Sequence, residues 1–507
     1  MAASATATAR AASDQTLRGS IAPEDQLGRT PPTAADSDNR LGDQGGTPED
    51  AGGAPTTPPP LGGLGDEETE QPPTPPLGGL GDEARAAEDD AAPGFGITTA
   101  TGESGLLPPG IEDVSRRSAV LPERHDLDPY VPIGIRVGTF LLFPEVEFGT
   151  ILTDNVLSTR TDTQSDAAIE VAPDIRLQSD WSRHFFSAEF NADRSWYRDF
   201  PGQDDRIYQA LLRGRLDVTR RTHLEIEAEK SQTQEGRDSA SLTDIAGNQV
   251  NLREEHLTAA ADHTFNRLTL KLAGTIADYK YDNTSDPTLV GGVPFQDIRD
   301  YSEKETRFRS TYEFNPDMSL FVEGAINEQN YVQPISEDGL RRGSAGYDVQ
   351  SGAIFRLTGR LTGEIAVGYG EQQSIDKNLA PIQGVLMNGD LIWLPTPTTK
   401  VEFLARSEIN ETTLVDSLGA IDRFYELSLQ KAFWTYLVLG AYVSYEIADY
   451  VDNPLVDQRV KEGLTAEYYF NPTLSVYGRY EHTDFFSTDE GNDFVENEVR
   501  MGMRLRR

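Results

Sequence analysis

The second part of the chain is a long series of segments in which apolar and polar side chains alternate. Over residues 141–506 each segment runs for about a dozen residues, and tight turns alternate with long polar loops between them. In the segment 399–411, Val401 and Phe403 fall on one face of an extended chain and Glu402 falls on the other. Because successive side chains of a β-strand point to opposite faces, this pattern predicts strands with one apolar and one charged face.

The length of these segments favours a membrane barrel over a soluble sheet. Most of them exceed the roughly 5–6 residues that are usual for strands in globular proteins, and no helical segment lies between them to cover a face. A closed barrel with lipid outside and a polar lumen inside accounts for both facts. A soluble β-solenoid or sandwich is the alternative, but a solenoid would show a shorter repeat with buried polar ladders. We therefore predict an all-β protein that forms a transmembrane antiparallel β-barrel.

The barrel is predicted to have eighteen strands, or sixteen if two of the segments are hairpins within loops. Short turns such as residues 315–317 alternate with long loops such as residues 236–252 and 282–300. Outer-membrane barrels have short periplasmic turns and longer extracellular loops, so an even count places both termini in the periplasm. The predicted strands are 141–155, 166–178, 184–198, 205–219, 223–235, 253–265, 268–281, 301–314, 318–330, 343–357, 361–373, 383–394, 399–411, 422–433, 437–449, 458–470, 474–486 and 494–506.

Aromatic side chains gather beside the predicted tight turns. Aromatic rings favour the boundary between lipid tails and water, so this is where the interfacial girdle of a barrel is expected, in contact with lipid and lipopolysaccharide. The residues are Phe185, Phe186, Phe265, Phe314, Trp393, Phe433, Trp434, Tyr436 and Phe470.

The composition excludes several classes of protein. The formal net charge is −38, and residues 1–128 alone carry 8 basic and 23 acidic side chains, so a nucleic-acid partner held by a basic face is excluded. The chain has no cysteine, which rules out a disulfide framework and a thiolate metal site. No apolar run approaches the ~20 residues that a membrane helix needs.

Residues 1–128 are predicted to be a disordered, acidic region in the periplasm, followed by the barrel at 129–507. They are rich in Pro, Gly, Ala and Thr and poor in aromatics, so they bury too little apolar surface to offset the entropy of ordering. Residues 58–67 recur as 75–83, either as a docking motif for a periplasmic partner or as a low-complexity spacer. The first residues lack the apolar region of a secretory signal, so we expect a start upstream or a trimmed chain.

Catalytic chemistry is not indicated. The six histidines form no metal-binding pair, and there is no Gly-x-Ser-x-Gly motif, so we predict neither an enzyme nor a cofactor. Asp489, Glu490 and Asp493 could hold Ca²⁺ between lipopolysaccharide groups, but their spacing lacks a full set of oxygen ligands, which favours a solvated loop.

Function is expected on the charged, inward face of the strands. One interpretation is that basic rungs contact an anionic solute while acidic rungs tune selectivity. The other is that opposite charges pair between neighbouring strands and stiffen the wall, most clearly for Arg500 and Arg504 beside Glu145 and Glu147. The candidate channel-lining residues are Arg213, Arg215, Arg307, Arg309, Arg356, Arg406, Arg479, Glu364, Glu402 and Glu408.

Three short stretches carry a resemblance to a known family. They are Gly138-Thr139-Phe140-Leu141-Leu142-Phe143-Pro144-Glu145-Val146-Glu147-Phe148-Gly149, then Thr153-Asp154-Asn155-Val156, and the turn Ser182-Arg183-His184. The first contains a Gly-x-Phe-x-x-x-Pro strand and the second an Asp-Asn-Val loop. Residues 129–507 thereby resemble a bacterial family of outer-membrane β-barrel porins. The chain departs from typical outer-membrane barrels at its end, Met503-Arg504-Leu505-Arg506-Arg507, which has no terminal aromatic residue.

The resemblance implies a function and a location. Members of the family are commonly associated with capsule or exopolysaccharide gene clusters in α-proteobacteria and their relatives, which implies export of a cell-surface polysaccharide through a barrel in the outer membrane. A general or solute-specific uptake porin is the alternative, and a structural or adhesion barrel with a plugged lumen is the third. Neither the solute nor the oligomeric state follows from the sequence.

Overall fold

The part of the chain that the structure describes contains all eighteen predicted strands, but not the whole of the loops 236–252 and 282–300. No helix in this part is long and apolar enough to cross a membrane. The predicted disordered region lies outside the described residues apart from Leu127, and so do both copies of the repeat. The computed structural model describes residues 132–235, 250–282, 299–335, 339–412, 417–434, 436–489 and 491–507, with Leu127, Tyr130 and Leu414.

The described residues form nineteen β-strands and one short 3₁₀ turn, Pro201–Gln203. The first strand has only three residues, and the other eighteen have 13 to 16 residues each. The strands are β1 Ile135–Val137, β2 Phe140–Thr153, β3 Asp166–Ser179, β4 Phe185–Tyr197, β5 Arg206–Thr219, β6 Thr222–Gln234, β7 Asn251–Phe265, β8 Leu268–Tyr281, β9 Tyr301–Asn315, β10 Met318–Tyr331, β11 Ser344–Leu357, β12 Leu361–Ser374, β13 Ile382–Thr396, β14 Thr399–Glu411, β15 Gly419–Phe433, β16 Leu437–Tyr450, β17 Val456–Asn471, β18 Leu474–Ser487 and β19 Phe494–Arg506.

Strands β2 to β19 form one closed antiparallel barrel. Each strand pairs with its neighbours in the sequence, and β19 closes the barrel by pairing with β2 from Glu498↔Thr153 to Arg506↔Glu145. The prediction of eighteen strands is confirmed, and the sixteen-strand alternative is wrong. Strand β1, which the sequence analysis missed, pairs only with the start of β2, through a hairpin at Gly138.

The two ends of the barrel differ, as predicted. At one end, the turn end, consecutive strands are joined by a few residues, for example Pro316 and Asp317 between β9 and β10. At the other end, the loop end, the connections include residues 154–165 between β2 and β3. Both termini of the barrel lie at the turn end. Four of the predicted girdle residues beside the turns, Phe265, Phe314, Trp434 and Phe470, are more than half exposed on the outer face.

The wall is interrupted between β13 and β14. Their ladder runs from Thr396↔Thr399 to Gly389↔Ala405 and goes no further toward the loop end. Beyond Ala405, β14 stays paired with β15 as far as Glu411, while β13 stays paired with β12 as far as Ile382. The loop-end half of β14 has therefore separated from β13, while β15 stays paired with β16 as far as Ala420↔Tyr450.

Candidate functional site

The candidate site is the inner face of the barrel. Alternation divides each strand between an apolar outer face and a polar inner face, and β7 shows the division clearly. Glu254, Thr258 and Asp262 are buried, at 2 to 5% exposure, whereas Leu257 between them is 48% exposed. Polar side chains are thus directed into the lumen and apolar ones outward, which is the arrangement of a membrane barrel with an aqueous interior.

Arg213 and Arg215 lie on the inner face of β5, and each is paired with a carboxylate. The Arg213 Nε donates to Glu227 Oε2 at 3.0 Å, and its Nη1 lies 3.5 Å from Glu189 Oε1. These partners come from β6 and β4, so Arg213 joins three adjacent strands. Arg215 Nε lies 3.0 Å from Asp217 Oδ1. Both arginines stiffen this part of the wall.

Arg307 and Arg309 on β9 form the densest charge network of the described lumen. Arg307 Nε lies 3.1 Å from Glu305 Oε1, and its Nη1 lies 2.5 Å from Glu323 Oε1. Arg309 Nη2 lies 2.9 Å from Glu364 Oε1, which reaches across from β12. The network spans four strands, and its members expose at most 15% of their side chains. Planar guanidinium groups suit this arrangement because they bind two carboxylates at once.

The other predicted lumen residues also lie on the inner face. Arg479 donates to Glu481 Oε2 at 2.6 Å and to the Tyr442 hydroxyl at 2.7 Å. Glu402 lies 3.0 Å from Lys400 Nζ. The inner face of β11 carries Arg356, and the inner face of β14 carries Glu408 and Arg406.

Arg406 has a buried guanidinium nitrogen, Nη1, that makes no hydrogen bond with any described residue. Arg406 lies on β14 just past Ala405, where the ladder with β13 ends, and directly opposite Phe424 on β15. It is therefore placed on the part of the hairpin that overlaps β13, and its unpaired Nη1 is buried there.

The predicted charge pairing at the seam is confirmed for Arg504. This side chain lies 2.9 Å from Glu145, 2.6 Å from Glu147 and 2.8 Å from Glu467. Arg500 instead pairs with Glu498 on its own strand, with Glu170 on β3 at 2.8 Å, and with Asp193 on β4 at 3.6 Å. Both arginines tie the last strand to the first ones, so charge pairing closes the barrel.

Carboxylates outnumber basic groups inside the barrel and its loops. Among the described residues, nineteen Asp and Glu side chains are buried against nine Arg and Lys side chains. Glu229 on β6 accepts a hydrogen bond from Gln209 at 2.7 Å, and Glu303 on β9 accepts one from Asn327 at 2.9 Å. These two and Glu426 on β15 form no ion pair with any described residue, and all three lie on the inner face. The lumen therefore carries an excess of negative charge.

The loop end also contains buried charge that the sequence analysis missed. Arg299, in the β8–β9 loop, pairs with Glu235, which follows β6, and lies 3.8 Å from the centre of the Tyr281 ring. Burial alone would lower the pKa of Arg299, but the adjacent Glu235 and Tyr281 outweigh it and raise that pKa. Arg342, after β10, is 1% exposed. Neither residue lies on a strand, so alternation gave no signal for them.

No metal centre is formed by the described residues, where no group of three or more His, Asp and Glu side chains could hold an ion. Asp489 and Asp493 lie in the β18–β19 loop, and Glu490 lies outside the described residues. Asp489 accepts a hydrogen bond from Asn492, and Asp493 accepts one from the Ser487 backbone, which is ordinary loop geometry.

The comparisons with known proteins place the barrel among porins. The model of a family described as putative beta-barrel porin 2 matches residues 128–507. The search of curated proteins gave no match.

Solved structures give weak similarities. OpdQ of Pseudomonas aeruginosa has a TM-score of 0.40 and 10% identity, covering 73% of this chain and all of that one. The siderophore receptor PirA of Pseudomonas aeruginosa has a TM-score of 0.38 and 11% identity, covering 72% and 80%. The FrpB iron transporter of Neisseria meningitidis has a TM-score of 0.40 and 10% identity, covering 72% and 82%.

Proposed function

The chain belongs to the putative beta-barrel porin 2 family and is an outer-membrane β-barrel porin, and we propose that its channel conducts small hydrophilic solutes with a preference for cations. The observation that carries this proposal is the excess of carboxylates on the inner face. Rings of Asp and Glu side chains favour cations in channels, because the charge of the wall attracts counter-ions and repels ions of like sign.

The arginines support the same proposal. A guanidinium nitrogen of each of Arg213, Arg307 and Arg309 lies within 3.1 Å of a carboxylate oxygen. Most of the positive charge of these arginines is therefore balanced within the wall. Glu229, Glu303 and Glu426 form no ion pair with a described residue, so their carboxylates are not bound to a basic partner in the wall. These three lie on β6, β9 and β15 and so surround the lumen instead of forming one patch.

The test is ion selectivity in a planar bilayer. The purified protein is placed in a bilayer with different KCl concentrations on its two sides, and the reversal potential is measured. We expect its sign to show that K⁺ passes more readily than Cl⁻. The triple variant Glu229→Gln, Glu303→Gln and Glu426→Gln should lose most of that preference, whereas Glu328→Gln, on the outer face of β10, should not change it. Chloride preference in the unmodified channel would overturn the proposal, and an absence of any conductance would favour the plugged structural barrel.

Export of a capsule or exopolysaccharide is the second candidate. The resemblance of the sequence implies it, and the observation that favours it is Arg406 on the inner face of β14, whose Nη1 is buried without a hydrogen-bond partner among the described residues. A planar guanidinium can bind the carboxylates of an acidic polymer. Deletion of the gene should then reduce cell-surface polysaccharide, and the variant Arg406→Gln should do so in part. Normal surface polysaccharide in the deletion strain would remove this candidate and leave solute uptake.

A further inference from the structure

We infer that the loop-end half of the β14–β15 hairpin is a constriction inside the lumen, which sets the size limit of the channel and is held in place by Arg342. The inference rests on the proposed channel function and adds the element that limits it. Three independent features of the described residues support it. They are the burial of the outer, apolar face of the hairpin, two glycines on the inner wall beside it, and the polar contacts that hold its end in place.

The first feature is the burial of side chains that should face lipid. Ile409 and Ile421 are opposite each other on β14 and β15 and share the face of Phe403, which is 37% exposed on the outside of the barrel. Ile409 and Ile421 are only 4% and 6% exposed, and they pack against Leu386 on the inner face of β13. The outer face of the hairpin therefore lies against the inner face of β13, so the hairpin overlaps β13 on the lumen side while β15 stays paired with β16.

The second feature is a pair of glycines on the inner wall. A Cβ at Gly384 on β13 would lie 2.6 Å from Ile421 Cδ1. A Cβ at Gly370 on β12 would lie 2.9 Å from Leu386 Cδ1 and 3.0 Å from Ile409 Cδ1. Side chains at these two positions would occupy the space of the hairpin, so the wall is shaped to receive it.

The third feature is a set of polar contacts from Arg342, in the β10–β11 connection, and from Ser344, at the start of β11. The Arg342 guanidinium donates to the Thr412 carbonyl at 3.1 Å, to the Ser417 carbonyl at 2.7 Å and to the Leu414 carbonyl at 3.1 Å. Ser344 on β11 donates to Glu411, at the end of β14. Backbone carbonyls at the end of a buried hairpin need donors, and Arg342 supplies them to three at once.

The consequence is that the lumen narrows at one level near the loop end. Once the hairpin has turned inward, the residues on its other face, Arg406, Glu408 and Asn410, are directed toward the remaining opening. Any solute that enters from the loop end must then pass these side chains. The hairpin therefore limits both the size of the solute and the charge that it meets.

Conductance of variants tests the constriction. Arg342→Met removes the donors to the three carbonyls, and the double variant Gly370→Leu, Gly384→Leu fills the space that receives the hairpin. Both should raise single-channel conductance by about twofold, because the free cross-section of a barrel sets the current. The matched controls are Arg341→Met, the exposed neighbour of Arg342, and Gly389→Ala on β13, where a Cβ meets only ordinary contacts at 3.8 Å. Unchanged conductance in both variants would overturn the inference.

A second readout separates this inference from the channel function. The chain has no cysteine, so Ile409→Cys can be labelled alone. This residue should resist maleimide in the folded protein and react when Arg342→Met is added, while Lys377→Cys in an exposed loop reacts in both backgrounds. If the labelling changes but no variant conducts, the hairpin is placed correctly and the channel proposal fails. If Ile409→Cys reacts equally in both backgrounds, the hairpin is not held by Arg342.

Discussion

Single charged side chains of the inner face fall into two groups with different physical roles. Arg307 is 6% exposed and surrounded by carboxylates, so it neutralises charge that the barrel has already buried. Arg406 is partly exposed and forms no ion pair with a described residue, so no carboxylate of the wall is bound to it. Alternation alone gave both residues the same prediction, because it assigns a face and says nothing of the partners on that face.

Replacing Arg307 should destabilise the barrel, and replacing Arg406 should not. The variant Arg307→Met leaves Glu305 and Glu323 as unbalanced buried charges, and removing one partner of a buried pair costs about 3 kcal/mol. Arg406→Met has no comparable cost. The measurement is the temperature at which the folded form disappears on a heat-modifiability gel. Equal unfolding temperatures for the two variants would contradict the division into two groups.

The strands show how far an element can be predicted from the sequence. Each of the eighteen barrel strands was placed to within a few residues, because a strand with lipid on one side and water on the other alternates over its whole length. The inward hairpin was not predicted, since Ile409 carries the same apolar character whether it meets lipid or the inner wall. Glu411 on the outer parity and the glycines at 370 and 384 were signals that could have indicated it.

The tight turns are elements whose sequence requirements can be tested directly. Asn266 joins β7 to β8 with φ of 58°, the left-handed region that asparagine tolerates and β-branched residues do not. We expect Asn266→Gly to keep the free energy of unfolding and Asn266→Val to lower it by about 1–2 kcal/mol. Arg267→Val, at the next position of the same turn, is the control. A denaturant titration of the refolded barrel in detergent measures the difference, and equal stability of the two valine variants would contradict the expectation.

At the scale of the whole molecule, the fold can be predicted from the sequence, whereas the solute that passes through the barrel cannot. Closure could be predicted because an even number of long strands leaves no edge when the last pairs with the first. The solute could not, because it depends on how charges pair across strands that lie far apart in the sequence, such as Arg500 and Glu170. The periplasmic placement of residues 1–128, and a partner for them, stay predictions.

Orientation in the membrane is the property of the whole molecule on which the rest depends. The constriction lies at the loop end, so it faces incoming solutes only if that end is outside the cell. The short connections at the turn end and the longer ones at the loop end favour an extracellular loop end and a periplasmic turn end.

Two single cysteines test this orientation. Lys377 in the β12–β13 loop and Arg221 in the β5–β6 turn are both exposed, and the chain has no other cysteine to react. On intact cells a membrane-impermeant maleimide should label Lys377→Cys and leave Arg221→Cys unlabelled. After the outer membrane is permeabilised, both should react to the same extent, which controls for intrinsic reactivity. Labelling of Arg221→Cys alone on intact cells would show that the barrel is inverted, and the constriction would then face the periplasm.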